Sequence, residues 1–393
     1  MTFRRRLQVA AALGGVAALV ATCSTLAGAA TTKLEVVAKD LNNPRKLFVA
    51  GEGALYVVEA GSGGDHKCFG TGPDAICVGR TGSVTKIAGG EQHRVLTGLV
   101  SWATAAAQRA QGAAAVVVEG ETLYVLFGDA VTNKKGGNAF GRDGAMAGKL
   151  IALHSGTRSS RAVSDLAAFE ATHNPDHGAG PGAKLGNPSI DSNPYALARY
   201  RGGFAVADAA ANDLLWVKPT GAISLLAVFP TQPVKLTEAT AKRLGAAAGT
   251  ASLDVQSVPS SVSVGPDGAL YVGELTGRPF QPGTARVWRV VPGRKPTVYA
   301  DGFTNIIDLA FAGENLLVLE AAARGLWHTP WTGALIRVAP DKSRQVIASD
   351  GLVAPTGLAV GRRSIFIANY GFFPGSGPGP HGEVVSIPRS AAS

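Results

Sequence analysis

The stretch VPSSVSVGPDGALYVGE, from Val258 to Glu274, decides the fold. It contains a turn, an apolar strand, a short hairpin and a second apolar strand that ends in an acidic residue. Such a run is typical of two antiparallel neighbouring strands that are covered on both faces. The same pattern recurs six times, at Asn43–Glu59, Gly112–Phe127, Asn193–Asp208, Val258–Glu274, Asn305–Glu320 and Ala354–Asn369.

Each copy continues into further strands that alternate more strongly between apolar and polar residues. Arg286–Val290 is an example of the third strand, and Thr297–Ala300 of the fourth. Units of four strands repeated along a chain are the blades of a β-propeller, in which no blade buries its faces alone. The sequence therefore predicts an all-β fold, a six-bladed β-propeller, with the six copies as strands a and b.

The sixth unit lacks a fourth strand at its own end, because the chain stops soon after Gly382–Ile387. The segment Leu34–Ala38 precedes the first copy and belongs to no complete unit. Pairing of these two segments would close the ring and remove an open sheet edge. We therefore predict that the N-terminal strand completes the last blade. An open sandwich or two domains are the alternatives, but no low-complexity linker divides the chain.

The N-terminus has the features of an export signal. Arg4, Arg5 and Arg6 precede an apolar run, Leu7–Val20, and small residues follow at Ala27–Ala29. This order predicts a signal peptide at 1–29 and a single propeller domain at 30–393, secreted to the extracellular space. The arginines also resemble a twin-arginine signal, and a lipid anchor through Cys23 on the outer face of the membrane is the alternative. No other apolar stretch is long enough for a transmembrane segment.

Two cysteines remain beyond the predicted signal peptide, Cys68 and Cys77, in a glycine-rich loop. Because exported proteins meet an oxidising compartment, this even pair predicts a local disulfide. The alternative is a metal site, but the spacing matches no zinc pattern and His66 alone does not complete one.

Charge gives little support for nucleic-acid binding. Removal of the signal peptide would lower the formal net charge from +9 to +6, and the lysines and arginines form no run or stripe with aromatic residues. We expect a monomer that binds no nucleic acid. Its expected partner is a small molecule, a polysaccharide of the cell surface or an extracellular protein.

Loop length distinguishes the two faces of the predicted ring. The hairpins between strands a and b are short, whereas the connections on the opposite face are long. Binding and catalysis concentrate on loops carried by a rigid scaffold, so the long-loop face is the expected site. Its long connections are 60–80, 128–148, 170–191, 275–284, 321–332 and 370–381.

Polar residues at the ends of strands b and the starts of strands a should meet on this long-loop face. Oxygen donors around the ring axis could hold Ca²⁺ or another hard divalent cation. Alternatively, each acidic side chain accepts backbone N–H bonds in its own b-to-c turn. The candidates are Arg45, Glu59, Asn193, Tyr195, Asp208, Glu274, Asn305, Asp308, Glu320 and Asn369.

No local motif assigns a catalytic residue. The pattern Gly-x-Ser-x-Gly does not occur, and the seven histidines are scattered. His173 and His177 have i, i+4 spacing, but Pro175 argues against one helix that presents both. Glu170 lies on a short predicted helix, 164–172, for which Ser164 is a suitable N-cap.

The chain resembles the ScyD/ScyE family of secreted propellers over about Leu34–Ile387. The family's repeats are similar to those of NHL and gluconolactonase-like propellers, whose metal-binding acidic and asparagine residues have no matching positions here. The resemblance implies the fold and export, and no established activity. It rests on Asp191–Tyr195, Val272–Gly277, Tyr299–Asp308 and Ala354–Val360.

Three functions follow from these observations. The first is a binding protein that presents its long-loop face to a small molecule, a carbohydrate or a protein. The second is a hydrolase, lactonase or lyase with a cation on the axis, since propellers host both kinds of function. The third is a structural partner in an envelope complex, for which an exposed apolar patch near Trp327 and Trp331 would be the sign. No local motif supplies a nucleophilic side chain with a neighbouring general base, and this favours a binding function over catalysis.

Overall fold

The computed structural model of the protein describes residues 32–72, 75–104, 110–129, 141–157, 159–178, 190–372 and 381–393. The predicted signal peptide and Cys23 lie outside these residues. The first strand, β1 (Glu35–Leu41), belongs to the last blade. No helix in the described ranges is long and apolar enough to cross a membrane.

The first three blades follow the predicted repeat. Blade 1 contains β2 (Pro44–Val49), β3 (Leu55–Glu59), β5 (Ile76–Ala88) and β6 (Glu91–Thr104), with a short additional strand β4 (Lys67–Phe69) beside β5. Blade 2 contains β7 (Ala113–Glu119), β8 (Thr122–Phe127), β9 (Lys149–His154) and β10 (Ser160–Asp165). Blade 3 contains β11 (Pro194–Tyr200), β12 (Gly203–Asp208), β13 (Asp213–Val217) and β14 (Ile223–Val228).

The other three blades are built in the same way. Blade 4 contains β17 (Pro259–Val264), β18 (Leu270–Glu274), β19 (Ala285–Val290) and β20 (Thr297–Phe303). Blade 5 contains β21 (Ile306–Ala312), β22 (Asn315–Glu320), β23 (Ala334–Val338) and β24 (Arg344–Ala348). Blade 6 contains β25 (Gly357–Val360), β26 (Ser364–Asn369), β27 (Gly382–Pro388) and β1. The six-bladed β-propeller is therefore confirmed.

The ring closes as predicted. Strand β1 pairs antiparallel with β27, and Glu35 lies opposite Ser386 while Leu41 lies opposite Gly382. Leu41 is fully buried and packs in an apolar cluster with residues of blades 1 and 6. Both ends of the chain therefore contribute to one sheet, and blade 6 has no missing strand.

Apolar clusters join each blade to the next. The described residues contain six such clusters, one for each pair of neighbouring blades around the ring. The inner strands are covered on both faces, and β12 is buried along its whole length. This explains why strands a and b are continuously apolar in sequence, whereas the outer strands expose residues such as Leu225 and Val298.

Two small elements interrupt the repeat. Helix α1 (Leu166–His173) follows blade 2, and its N-cap is Asp165, whose side chain accepts a hydrogen bond from Ala168 N. Ser164 was therefore the wrong N-cap, because the last strand of blade 2 runs to Asp165. Helix α2 (Glu238–Arg243) lies between the paired strands β15 (Gln232–Lys235) and β16 (Ser252–Val255), an insertion before blade 4.

The predicted disulfide is confirmed. Cys68 in β4 lies directly opposite Cys77 in β5, and the two are bonded. Their Cα atoms are 4.0 Å apart. The bridge holds the hairpin that extends blade 1 on the long-loop side.

A bulge marks the start of the inner strand in five of the blades. The pairing register shifts just after Pro44, Ala113, Pro194, Pro259 and Ile306. A bulge adds a residue on one strand and redirects its side chain. The residues at the shifts include Arg45, Lys46, Tyr195, Ser260 and Ile307, and this local geometry places polar side chains at the long-loop end of the axis.

Candidate functional site

The residues that end strands b hold the neighbouring connections in place. In blade 1, Glu59 accepts hydrogen bonds from Asn42 N at 2.7 Å, Thr85 Oγ1 at 2.6 Å and the guanidinium of Arg94 at 2.8 and 3.0 Å. Burial alone would raise the pKa of Glu59, but the hydrogen bonds from Arg94 and Thr85 lower it below its usual value. Glu59 is thus a buried, ionised carboxylate whose partners lie in blade 1 and in the connection that precedes it.

Glu274 has a similar role in blade 4. Its carboxylate accepts hydrogen bonds from Ser257 Oγ at 2.7 Å, from the Arg286 side chain at 2.8 and 2.9 Å, and from Trp288 Nε1 at 2.6 Å. These donors occupy both oxygens. Glu274 therefore joins its own blade to the connection that precedes it, and offers no free oxygen toward the axis.

The remaining strand ends bind the preceding connection through fewer bonds. Asp208 accepts from Asn193 N at 2.7 Å, Glu320 from Thr304 N at 2.7 Å, and Asn369 from Val353 N at 2.8 Å. We expected these backbone donors in each b-to-c turn, but most lie in the connection before strand a. Asp208 accepts hydrogen bonds from both segments, since Ala210 N and Ala211 N of its own b-to-c turn also donate to it. Among the described residues, a non-glycine residue with positive φ lies in the turn before strand a in four blades, at Asn43, Val258, Asn305 and Ala354.

A second group of side chains meets on the axis. Lys46 of β2, Tyr195 of β11 and Asp308 of β21 come from the alternate blades 1, 3 and 5. Lys46 Nζ lies 3.0 Å from Asp308 Oδ1, donates to the carbonyl oxygen of Ile307, and lies 5.2 Å from the centre of the Tyr195 ring. Lys46 and Asp308 are only 5% and 6% exposed. Burial lowers the pKa of Lys46 and raises that of Asp308, and their attraction opposes both shifts.

Arg45 lies beside this group and is bound by neutral acceptors. Its guanidinium donates to the carbonyl oxygens of Pro44 at 3.2 Å, of Ala110 and of Gly371, and it lies 4.8 Å from the centre of the Phe372 ring. Within the described residues it forms no ion pair. Burial lowers the pKa of Arg45, but a guanidinium stays charged in proteins. Arg45 therefore joins the connections that follow blade 1 and strand b of blade 6, and no acidic side chain of the described residues pairs with its buried positive charge.

The hydroxyl of Tyr195 has no hydrogen-bond partner among the described residues, although the residue is buried. Burial raises the pKa of Tyr195 to about 12; nearby Asp308 adds to this rise and Arg45 opposes it. The hydroxyl is thus a neutral donor at physiological pH. A buried polar group without a partner costs about 1–3 kcal/mol, so its retention calls for an explanation.

The structure therefore divides the ten sequence candidates into two groups. Arg45, Tyr195 and Asp308 meet on the axis. The other seven lie at the long-loop ends of their own blades. Asn193 and Asn305 support neighbouring loops: Asn193 Oδ1 accepts from Asp129 N at 2.8 Å, and Asn305 Nδ2 donates to Leu275 O at 2.7 Å. Lys46 was missed by sequence reasoning, and its signal is a second charged residue, next to Arg45, at the start of the inner strand of blade 1.

A hard cation on the axis does not fit these residues. One oxygen of Asp308 is paired with Lys46, and the other accepts from Leu358 N at 2.8 Å. The ammonium group of Lys46 already supplies the positive charge that a metal ion would bring. Throughout the part of the chain that the structure describes, no three His, Cys, Asp or Glu side chains form a group that could hold a metal ion.

Comparisons with known proteins extend to the fold alone. No family model matches the sequence, and no curated protein matches it. A calcium-binding regucalcin from Agrobacterium tumefaciens is 10% identical, with a TM-score of 0.51 over 91% of this chain and 93% of that chain. A putative glucose dehydrogenase from Thermus thermophilus is 14% identical, with a TM-score of 0.48 over 90% and 99%. Virginiamycin B lyase from Staphylococcus aureus is 11% identical, with a TM-score of 0.39 over 90% and 98%.

Proposed function

We propose that this protein is an exported propeller of the ScyD/ScyE type that binds a small anionic molecule at the long-loop end of its axis. In this proposal residues 1–29 are the signal peptide, residues 30–393 form the secreted domain, and a lipid anchor at Cys23 is the alternative form. The sequence motif Asp191–Tyr195 supports the family assignment, because it supplies the axial Tyr195.

The single observation that carries the proposal is the charge of the axial group. Arg45 and Lys46 bring two positive charges and Asp308 one negative charge, so these buried residues have a net positive charge. A buried unmatched charge is costly, and an anion would relieve the cost. A carboxylate would form charge-assisted bonds with the guanidinium of Arg45, which are stronger than its present bonds to carbonyl oxygens. The free hydroxyl of Tyr195 would donate to the same ligand.

The hydrolase or lyase alternative lacks a free base on the axis. Lys46 and Asp308 are paired with each other at 3.0 Å, and the pKa of Tyr195 is raised to about 12. A general base needs a pKa near 7 and an unengaged atom to take the proton, and the ion pair and the neutral tyrosine do not offer this combination. The axial geometry therefore supports binding over catalysis.

The test uses two tyrosines of the same strand. Tyr195 and Tyr200 both lie in β11, are both 6% exposed, and both have hydroxyl groups without a partner. They lie at opposite ends of the strand, so only Tyr195 faces the axial group. Gluconate, galacturonate and inorganic phosphate would be titrated into the mature protein by calorimetry, with methyl glucoside as the neutral control.

We expect at least one anion to bind and methyl glucoside not to bind. Tyr195→Phe should weaken anion binding about tenfold, since one hydrogen bond contributes about 1 kcal/mol or more. Tyr200→Phe should leave the affinity unchanged. Equal effects of the two substitutions, or tighter binding of the neutral sugar, would contradict the proposal.

A further inference from the structure

A second cluster of charged groups lies away from the axis, where blade 2 meets blade 3. Glu170 is on helix α1 and Asp176 is in the turn that follows it. Asp208 and Asp213 flank the b-to-c turn of blade 3 and lie opposite each other in the sheet. Glu170 is 2% exposed and Asp213 is fully buried.

Two of these four carboxylates have ordinary partners. Asp208 accepts hydrogen bonds from Ser192 Oγ at 2.6 Å and from three backbone N–H groups. Asp176 accepts from Asn212 Nδ2 at 2.8 Å and from Gly178 N at 2.8 Å. These bonds anchor the turn after α1 to blade 3, and therefore fix the position of the cluster.

The other two carboxylates lack any donor. Neither oxygen of Glu170 and neither oxygen of Asp213 accepts a hydrogen bond from the described residues. Burial, together with the negative charges of Asp176, Asp208 and Asp191, raises the pKa of Glu170 to about 8. Burial, together with Asp208, Glu170 and Asp176, also raises the pKa of Asp213 well above its usual value.

No described Lys or Arg forms an ion pair with Glu170 or Asp213, and Lys149 pairs with Asp165, at the start of α1, at 3.1 Å. Buried carboxylates without donors are stable only if they take up protons or bind a cation. The burial, the missing donors and the shared negative field all favour a positively charged ligand at this junction.

We propose that Glu170 and Asp213 together bind a calcium ion at the junction of blades 2 and 3. Their two charges neutralise the ion, and neutral backbone and water oxygens complete its coordination. Calcium accepts six to eight oxygen ligands in irregular geometry, whereas magnesium requires a near-ideal octahedron and zinc prefers nitrogen and sulfur.

The bound ion would fasten helix α1 to blade 3. This role is independent of the axial site, whose residues come from other positions of blades 1, 3 and 5. With two carboxylates the affinity should be in the range of extracellular calcium modules, with a Kd of about 0.1–1 mM.

The experiment measures melting temperature and calcium binding on the full mature chain after removal of divalent ions. CaCl2, MgCl2 and NaCl would be compared at equal ionic strength at pH 6.0, 7.5 and 8.5, and bound calcium would be counted by equilibrium dialysis. We expect one calcium ion per chain and a melting temperature higher by about 2 °C at 5 mM CaCl2. The increase should grow with pH, because protons compete with the ion for Glu170 and Asp213.

Two neutral variants of the same shape provide the decisive comparison. Glu170→Gln and Asp213→Asn should each weaken calcium binding at least tenfold. Each should also melt at a higher temperature than the wild type in chelator, since the repulsion within the cluster is reduced. Glu314→Gln, at an exposed hairpin position in blade 5, is the matched control and should change neither property.

Two results would overturn the proposal. One is a wild-type protein that binds no calcium at pH 8.5, which would show that Glu170 and Asp213 hold protons instead. The other is a calcium response that stays unchanged in both Glu170→Gln and Asp213→Asn, which would place the ion elsewhere. Dialysis gives a direct answer even where a variant melts at a lower temperature.

Discussion

The ion pair between Lys46 and Asp308 makes a quantitative prediction about stability. Asp308→Asn removes the charge that lies 3.0 Å from the Lys46 ammonium group and leaves that buried ion with neutral acceptors, such as the Ile307 carbonyl. Two unit charges at this distance interact with about 5 kcal/mol at an effective dielectric constant of about 20. Removal of one partner of a buried pair typically costs about 3–5 kcal/mol, and we expect a loss of that size.

The reverse substitution should cost less. In Lys46→Met, Asp308 keeps its hydrogen bonds from Leu309 N and Leu358 N. It can also take up a proton, because burial raises the pKa of Asp308. We expect a loss of about 2 kcal/mol for this variant. The double variant has no buried charge at this place and should lie within about 2 kcal/mol of the wild type.

The assay is a double-mutant cycle from guanidinium unfolding at pH 7, followed by both tryptophan fluorescence and circular dichroism. Coincident curves from the two probes would justify a two-state treatment for a domain of this size. With single losses of about 3–5 and 2 kcal/mol and a double-variant loss of at most about 2 kcal/mol, the coupling energy should be at least about 3 kcal/mol. Additive losses, with a coupling below about 0.5 kcal/mol, would refute the inference that the two groups stabilise each other.

Three further predictions concern the blades. Deletion of residues 382–393 removes β27, so β1 loses its partner and the truncated chain should show no cooperative thermal transition; a soluble truncate with an unchanged melting temperature would contradict ring closure. Glu274→Gln should lower the melting temperature by several degrees at pH 8, since it weakens charge-assisted bonds to Arg286, whereas Glu320→Gln should raise it. The sign for Glu320 follows from its pKa of about 7 in the folded protein against 4.5 for the ordinary group: the folded state binds the extra proton, so stability falls as pH rises through 7, and glutamine removes that loss. A wild-type melting temperature that does not change with pH in this range would contradict the assignment to Glu320. Cys68→Ala with Cys77→Ala should cost at most about 3 kcal/mol, because the closed loop is short, and the wild type in reducing agent should match the variant.

Much of the fold is predictable from the sequence, because the repeat itself carries the information. A run such as Val258–Glu274 specifies two buried strands and the hairpin between them, and six copies specify a ring. Ring closure also follows, since Leu34–Ala38 and Gly382–Ile387 each lack a partner within their own unit. The disulfide follows from an even pair of cysteines in a loop of an exported chain.

The sites are harder to predict, because they depend on side-chain direction and on contacts between distant blades. The sequence indicates that Arg45, Tyr195 and Asp308 share a face, but not that a bulge turns Lys46 onto the same axis. Glu320 and Glu274 end equivalent strands in sequence, yet one has a single backbone donor and the other has five bonds. The lack of donors at Glu170 and Asp213 is visible only once blade 3 is packed against helix α1.

The pairing of β1 with β27 has a consequence for how the molecule is made. Glu35 is among the earliest described residues to be synthesised, and its partner Ser386 is among the last. Until β27 is synthesised, strand β1 has no pairing partner and blade 6 is incomplete. Such edges invite pairing with other chains. The pairing of Glu35 with Ser386 joins residues about 350 positions apart, a long-range contact of the kind that slows folding.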